Sequence, residues 1–181
     1  MRRDAVVLWW VGAEKGDATL LDKVARAVSR ELSLLVLTHQ DGSRPDHTLD
    51  PVRGQHSSTA ILRWLVQRVP PRALKVVAIT DVDLFIPVLT FVYGEAQLNG
   101  ISAVVSTARL NVGEVAQHLP RLVKTCVHEL GHTFGLVHCD DPACVMRRST
   151  NVAGLDAKSS SLCEDCRIRY RDSLAEQEIA P

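Results

Sequence analysis

Neither sign of charge is in excess in this chain: lysine plus arginine and aspartate plus glutamate number 21 each among 181 residues. There is no basic field to concentrate nucleic acid, and no acidic one either. Apolar runs are short. Ala5–Val11 (AVVLWWV) falls well below the length of a membrane span. Arg2 and Arg3 precede it as in a signal sequence, but Glu14, Lys15 and Asp17 follow with no small-residue cleavage site. A buried strand is the better reading, and a cytoplasmic protein with no membrane and no nucleic-acid partner is expected. No cysteine occurs before Cys126; Cys126, Cys139, Cys144, Cys163 and Cys166 all crowd the last third. That clustering excludes a disulfide framework spread over the fold and points to a local metal site. Internal repeats and low-complexity linkers are also lacking, so one domain with a sizeable core is expected.

Residues 126–139 (CVHELGHTFGLVHC) carry the chemistry. They contain H-E-x-x-H followed by x-x-G-x-x-H. On a helix, His128 and His132 lie one turn apart on one face and can reach one ion. His138 cannot approach from the same straight helix. Gly135 tolerates the left-handed conformation that ends a helix, so the chain can turn and bring His138 in from another side. Three neutral imidazoles suit Zn²⁺ and leave a fourth tetrahedral position for water. Glu129 lies about 100° round the helix from His128. There it can touch a zinc-bound water, whose pKa is ~7, and act as general base without ligating the metal.

Cys139-x4-Cys144 and Cys163-x2-Cys166 form two close pairs. Four thiolates round one ion make a closed structural zinc site. No aromatic residue lies between Cys144 and Cys163, which argues against a nucleic-acid-binding ribbon. Cys126 reads as a buried core thiol. Two Zn²⁺ per chain are therefore expected, one catalytic and one structural.

The remaining elements follow from periodicity. Ala5–Val11 reads as a strand covered on both faces. Asp17 caps a helix to about Leu32, with Leu20, Leu21, Val24, Ala27, Val28 and Leu32 on one stripe. Ser33–Thr38 is a second strand, parallel to the first. Residues 39–56 read as a long loop with solvated His39, His47 and His56. A helix spans Ser57–Val69, with Ser57 or Ser58 as cap and Pro70 and Pro71 as its stop. Strands are expected at Lys75–Thr80, Val88–Tyr93 and Ile101–Thr107, with Asp81 and Asp83 as turn acceptors. Pro120 should split a helix that otherwise begins near Val112, so the motif helix is expected to start at or just after Pro120 and to reach about Phe134. His118, before this break, reads as structural or solvated. Residues 147–161 read as mostly loop, and Leu162 to about Glu178 as a closing helix.

H-E-x-x-H-x-x-G-x-x-H with a downstream methionine resembles the metzincin clan of zinc peptidases. Cysteine right after the third histidine, C-x4-C-x-M and then C-x2-C, is similar to one branch, the archaemetzincins. Arg53–Gln55, Asp81–Phe85, Phe91–Ala96 and Ser106–Leu110 also resemble segments of that family. The interval from Met146 to Cys163 is one residue shorter than the family pattern, and Arg148 stands where some metzincins place a tyrosine. The resemblance implies a compact metzincin-like α/β fold: a twisted, mixed but mostly parallel five-stranded sheet with the active-site helix, plus a small zinc-bound C-terminal subdomain. Residues 1–137 would form the first subdomain and 138–181 the second, within one structural domain. It implies His128, His132 and His138 as catalytic-zinc ligands and Glu129 as general base. Met146 would form a turn beneath the metal, and Cys139, Cys144, Cys163 and Cys166 would hold the second zinc. The activity implied is zinc-dependent peptide-bond hydrolysis by a monomer, with aminopeptidase-like trimming in view. An aminopeptidase needs an acidic anchor for the substrate's free amine, for which Asp81, Asp83 and Glu95 are candidates. A substrate strand is expected to pair along Val88–Tyr93. The alternative is a zinc-stabilised binding protein with an idle or highly restricted site.

Overall fold

The computed structural model describes residues 4–12 and 14–179; Arg2 and Arg3 lie outside them. Strand β1 (Ala5–Trp10) is apolar and buried almost throughout. Asp17 caps α1 (Ala18–Leu32), accepting from the backbone N–H groups of Thr19 and Leu20, a contact that contributes ~1 kcal/mol. Leu21, Val24, Ala25, Val28 and Leu32 form its buried stripe. The helix ends on Ser33 at φ 55°. Because Ser33 is spent as a left-handed cap, strand β2 (Leu35–Gln40) begins and ends later than Ser33–Thr38.

Three short strands come next in the chain: β3 (Leu49–Asp50), β4 (Gln55–Ser57) and, after helix α2 (Ser58–Val66) and strand β5 (Ala73–Thr80), β6 (Leu84–Phe85). They make a small sheet of order β3-β4-β6. Residues 39–56 are thus not one loop. His56 is buried, its Nδ1 set between Thr48 Oγ1 at 3.0 Å and the Pro45 carbonyl at 3.2 Å, and so is not solvated. Ser57 caps α2 through the N–H of Ala60.

The main sheet has five strands in the order β2-β1-β5-β8-β7, where β7 is Gly94–Ala96 and β8 is Ser102–Ser106. The pairs β1/β2, β1/β5 and β5/β8 are parallel, and β7 is antiparallel to β8. The mostly parallel five-stranded sheet is as expected, but its edge strand is not Val88–Tyr93. That segment turns away from the sheet after Pro87 and carries one isolated bridge, Val92 to Leu84. The edge beside the cleft belongs to Gly94–Ala96 instead, and β2 forms the opposite edge.

Alternate strand residues face opposite sides. Val6, Leu8, Val77 and Ile79 join a core with α1 and with helix α3 (His118–Thr133), while Val7, Trp9, Val76 and Ala78 pack on α2. Pro120 sits in the first turn of α3, where backbone N–H groups have no intrahelical acceptor. It neither kinks nor splits the helix there, so α3 starts earlier than expected. Asn151 caps a six-residue helix, α4 (Val152–Ala157), inside the span read as loop, and α5 (Glu164–Ile179) closes the fold. Among the described residues no helix is long and apolar enough to cross a membrane.

Candidate active site and metal centres

Helix α3 is buried along nearly its whole length and delivers His128, Glu129 and His132 to one cleft. Its end is a double hydrogen-bonded turn. Gly135, at φ 84°, donates to the His132 carbonyl at 2.9 Å, and Leu136 donates to the Gly131 carbonyl at 3.0 Å. This is the left-handed termination that glycine allows, and it carries the chain back so that His138 faces the two helical histidines.

The three ligand-capable imidazole nitrogens lie within 4.8 Å of one another. His128 Nδ1 donates to the Val145 carbonyl at 2.8 Å, and His132 Nδ1 to the Leu136 carbonyl at 2.7 Å. A carbonyl only accepts, so each ring carries its proton on Nδ1 and turns the Nε2 lone pair inward. Those two Nε2 atoms are 3.2 Å apart, close to the ~3.3 Å between two nitrogens bound tetrahedrally to zinc at ~2.0 Å. The donor set and its spacing fit that ion. Burial holds the His128 pKa down to about 3, with Lys158 and His132 adding to it. Burial also lowers His132 and His138. Each shift favours the neutral form that a metal ligand needs.

Two glycines shape the space round these residues. A Cβ on Gly131 would lie 2.4 Å from the sulfur of Met146. Met146 is fully buried and therefore packs against α3 on the turn between His128 and His132. A Cβ on Gly94 would lie 2.7 Å from Glu129 Cγ and 2.8 Å from Glu129 Oε1. The edge strand thus approaches the Glu129 side chain as closely as backbone can. Burial pushes the Glu129 carboxyl up to about 8, opposed by Lys158 and reinforced by Glu95. Neither glycine was singled out from the sequence. An isolated glycine inside a helical motif was the available signal for Gly131; nothing local marked Gly94.

The cleft has a volume of about 710 Å³. One wall is residues 86–93, and side chains from elsewhere hold it. Arg109 makes two 2.7 Å hydrogen bonds to Asp83 and lies 4.3 Å from the centre of the Phe91 ring. Gln55 donates to Asp83 and to the Thr90 carbonyl, and Arg53 donates to the Leu89 carbonyl while stacked on Phe85. Asp83 is therefore a salt-bridge acceptor, and Asp81 accepts from the Glu14 N–H. Glu95, on β7, faces the cleft with its carboxylate accepting from the hydroxyls of Ser58 and Thr59. Arg148 also lines the cleft.

The sulfurs of Cys139, Cys144, Cys163 and Cys166 also fall within 4.8 Å of one another. Cys139 and Cys163 are 3.8 Å apart, matching the ~3.75 Å expected for two thiolates at ~2.3 Å from a tetrahedral zinc. Cys144 Sγ accepts from the N–H groups of Met146 and Cys163, and Cys139 N–H donates to the Met146 carbonyl. This cluster is therefore tied to the turn under the histidines. Cys126 is buried in the core, which keeps its thiol protonated.

A five-stranded α/β sheet that sets an H-E-x-x-H helix and a third histidine round one cleft is the build of a zinc metallopeptidase. The family model for Peptidase family M54 matches residues 68–171. The archaemetzincin of Methanopyrus kandleri is 38% identical over 149 residues, which is 82% of this chain and 85% of that one. That of Archaeoglobus fulgidus is 43% identical over 121 residues, 65% of this chain and 71% of that one. The crystal structure of the M. kandleri archaemetzincin matches with a TM-score of 0.84 at 34% identity, covering 94% of this chain and 96% of that one. A zinc-dependent peptidase from Methanocorpusculum labreanum matches with a TM-score of 0.82 at 29% identity, covering 91% and 99%. The A. fulgidus archaemetzincin, solved with malonate, gives 0.77 at 29% identity, also covering 91% and 99%. The chain belongs to peptidase family M54, the archaemetzincins.

Proposed function

We propose that this chain hydrolyses peptide bonds at a zinc ion held by His128, His132 and His138, with Glu129 as general base. Zinc, when bound, supplies Lewis acidity toward the scissile carbonyl and lowers the pKa of water. Glu129 accepts a proton from the attacking water and returns it to the leaving amine. Its carboxylate is held in place by the close approach of Gly94. Met146 gives the imidazoles an apolar floor. Cys139, Cys144, Cys163 and Cys166 hold a second, structural zinc, so that two ions are bound per chain. Residues 1–137 and 138–181 act as two subdomains of one domain.

The substrate lies extended against the free edge of β7, where main-chain pairing supplies affinity. This replaces the Val88–Tyr93 placement, because the latter segment is not in the sheet. Its apolar side chains instead line the cleft beside the paired strand. Trimming from the amino end is favoured by one observation: Glu95 and Glu129 are the acidic side chains lining the cleft among the described residues. With Glu129 occupied as base, Glu95 is the group to receive a substrate ammonium, displacing Asp81 and Asp83 as candidates. The protein is read as a monomer of the cytoplasm, with its cysteines clustered in the last third of the chain rather than spread as a disulfide framework.

The preset Nδ1–H tautomers of His128 and His132 are the observation that carries the metal reading. The test is cleavage of a mixed peptide library by zinc-loaded protein beside its Glu129→Gln variant, with products read by mass spectrometry. Cleavage by the wild type alone, with zinc retained in both, is expected. Equal inactivity of both, with zinc bound at the histidines, overturns hydrolysis in favour of a binding protein. Amino-blocked peptides in the same library separate end trimming from internal cutting.

A further inference from the structure

Among the described residues, Lys158 is the one strongly buried cation in the cleft that the proposed reaction does not use. It follows α4 directly and is 4% exposed. A buried ammonium is costly unless its protons find acceptors. Its Nζ donates to the carbonyl of Val145 at 2.8 Å and to that of Arg147 at 2.7 Å. Those two carbonyls flank Met146 on either side. The Val145 carbonyl is also the acceptor that fixes His128 Nδ1. A carbonyl oxygen has two lone pairs, and here one serves the imidazole and the other the ammonium.

The other end of this brace is also anchored. Lys124 of α3 donates to the carbonyls of Leu155 and Asp156, and Arg121 of α3 grips the Asp156 carboxylate with two hydrogen bonds. Helix α4 is thereby clipped to the helix that carries the histidines. Lys158 then reaches from the end of α4 to the turn beneath those histidines, which closes a ring of contacts. A neutral side chain of the same size would fill the space but take this donor from both carbonyls, leaving that of Val145 with His128 Nδ1 alone.

We propose that Lys158 is a positioning residue for the metal centre. It locks residues 145–147 so that the Val145 carbonyl aims His128 and Met146 stays packed under the imidazoles. The proposal rests on the reading that the three histidines hold the catalytic zinc. Partners that orient a ligating histidine change metal affinity 10–100-fold when removed.

The experiment compares wild type with Lys158→Met, which keeps the volume, and Lys158→Arg, which keeps the donors. Zinc retention is titrated with a competing chelator, and His132→Ala identifies the ion lost from the histidine site. Steady-state kinetics on one cleaved peptide and thermal melting run alongside. Lys158→Met should lose the histidine-site zinc at chelator concentrations roughly 10–100-fold lower. Its kcat should fall while KM stays within about twofold, since the Lys158 ammonium is committed to main-chain carbonyls rather than to substrate. Lys158→Arg should recover most of the zinc affinity. Wild-type zinc affinity and kcat in Lys158→Met overturn the proposal. Should Lys158→Met not fold, Lys158→Leu, which also carries no donor, is titrated in its place, and wild-type affinity there overturns it equally. If His132→Ala binds as much zinc as wild type, the metal assignment fails instead, a distinguishable result.

Discussion

Gly94→Ala is the sharpest single perturbation the structure offers. The backbone at Gly94 is not in the left-handed region, so alanine meets no conformational penalty there. The added methyl alone matters. It would sit 2.7 Å from Glu129 Cγ and 2.7 Å from the Val104 carbonyl oxygen, against ordinary carbon contacts of ~3.5–4.0 Å. Something must move by about 1 Å. The Val104 oxygen belongs to the central sheet and is fixed, so β7 or the Glu129 side chain must yield. Overpacking of this kind costs ~1–3 kcal/mol, which lowers the melting temperature of a domain this size by on the order of 5 °C. The larger effect falls on rate, because a catalytic group misplaced by ~1 Å loses ~10²-fold. The three histidines are untouched, and zinc content should stay at the wild-type value. The assay is initial rates on a peptide that the wild type cleaves, with zinc measured by atomic absorption and folding by circular dichroism. A variant that keeps kcat within about threefold of wild type would refute the idea that the β7 backbone sets the position of Glu129.

Two further outcomes follow from side chains outside the metal centres. Arg109→Ala removes the guanidinium that couples Asp83 to Phe91; the 86–93 wall should loosen, raising KM several-fold with kcat little changed, and an unaltered KM counts against that wall as a substrate contact. The ion pair is partly exposed, so stability should change by less than ~1 kcal/mol. The Asp156 carboxyl is held below its ordinary value, chiefly by its hydrogen bonds from Arg121. Its contribution to stability is thus complete above the usual carboxylate range and fades as pH falls through the depressed value. Asp156→Asn should lower the melting temperature at neutral pH while flattening its decline in acid, and a melting profile parallel to wild type would show that the clip between α3 and α4 is not a stability element.

The histidine cluster was legible because a helix fixes its spacing and Gly135 announces the turn. Asp17 and Ser57 were legible as caps for the same local reason. The small sheet was not. Strands of two or three residues carry no period, and β4 exists because His56 N–H reaches the Asp83 carbonyl far along the chain. Val88–Tyr93 misled because an apolar run looks alike whether it faces a core or lines a cleft; the true edge strand, Gly94–Ala96, is too short and too polar to show a pattern. Pro120 misled in the other direction, since only the position of the first helical turn decides whether proline breaks a helix. Lys158 gave no signal, because its acceptors are main-chain carbonyls and its importance comes from where they lie.

His138 and Cys139 are neighbours in the chain, yet they belong to two separate converging clusters. One inserted residue between them would lengthen the path by up to ~3.5 Å, nearly the whole 3.8 Å separating the sulfurs of Cys139 and Cys163. Neither cluster has room to absorb that. Residues 147–150 are mostly exposed and lie between Met146 and the Asn151 cap. The permitted sites for length variation are thus distributed unevenly: a deletion or insertion is accommodated between Arg147 and the Asn151 cap, while the register from His128 to Cys139 is fixed to the single residue.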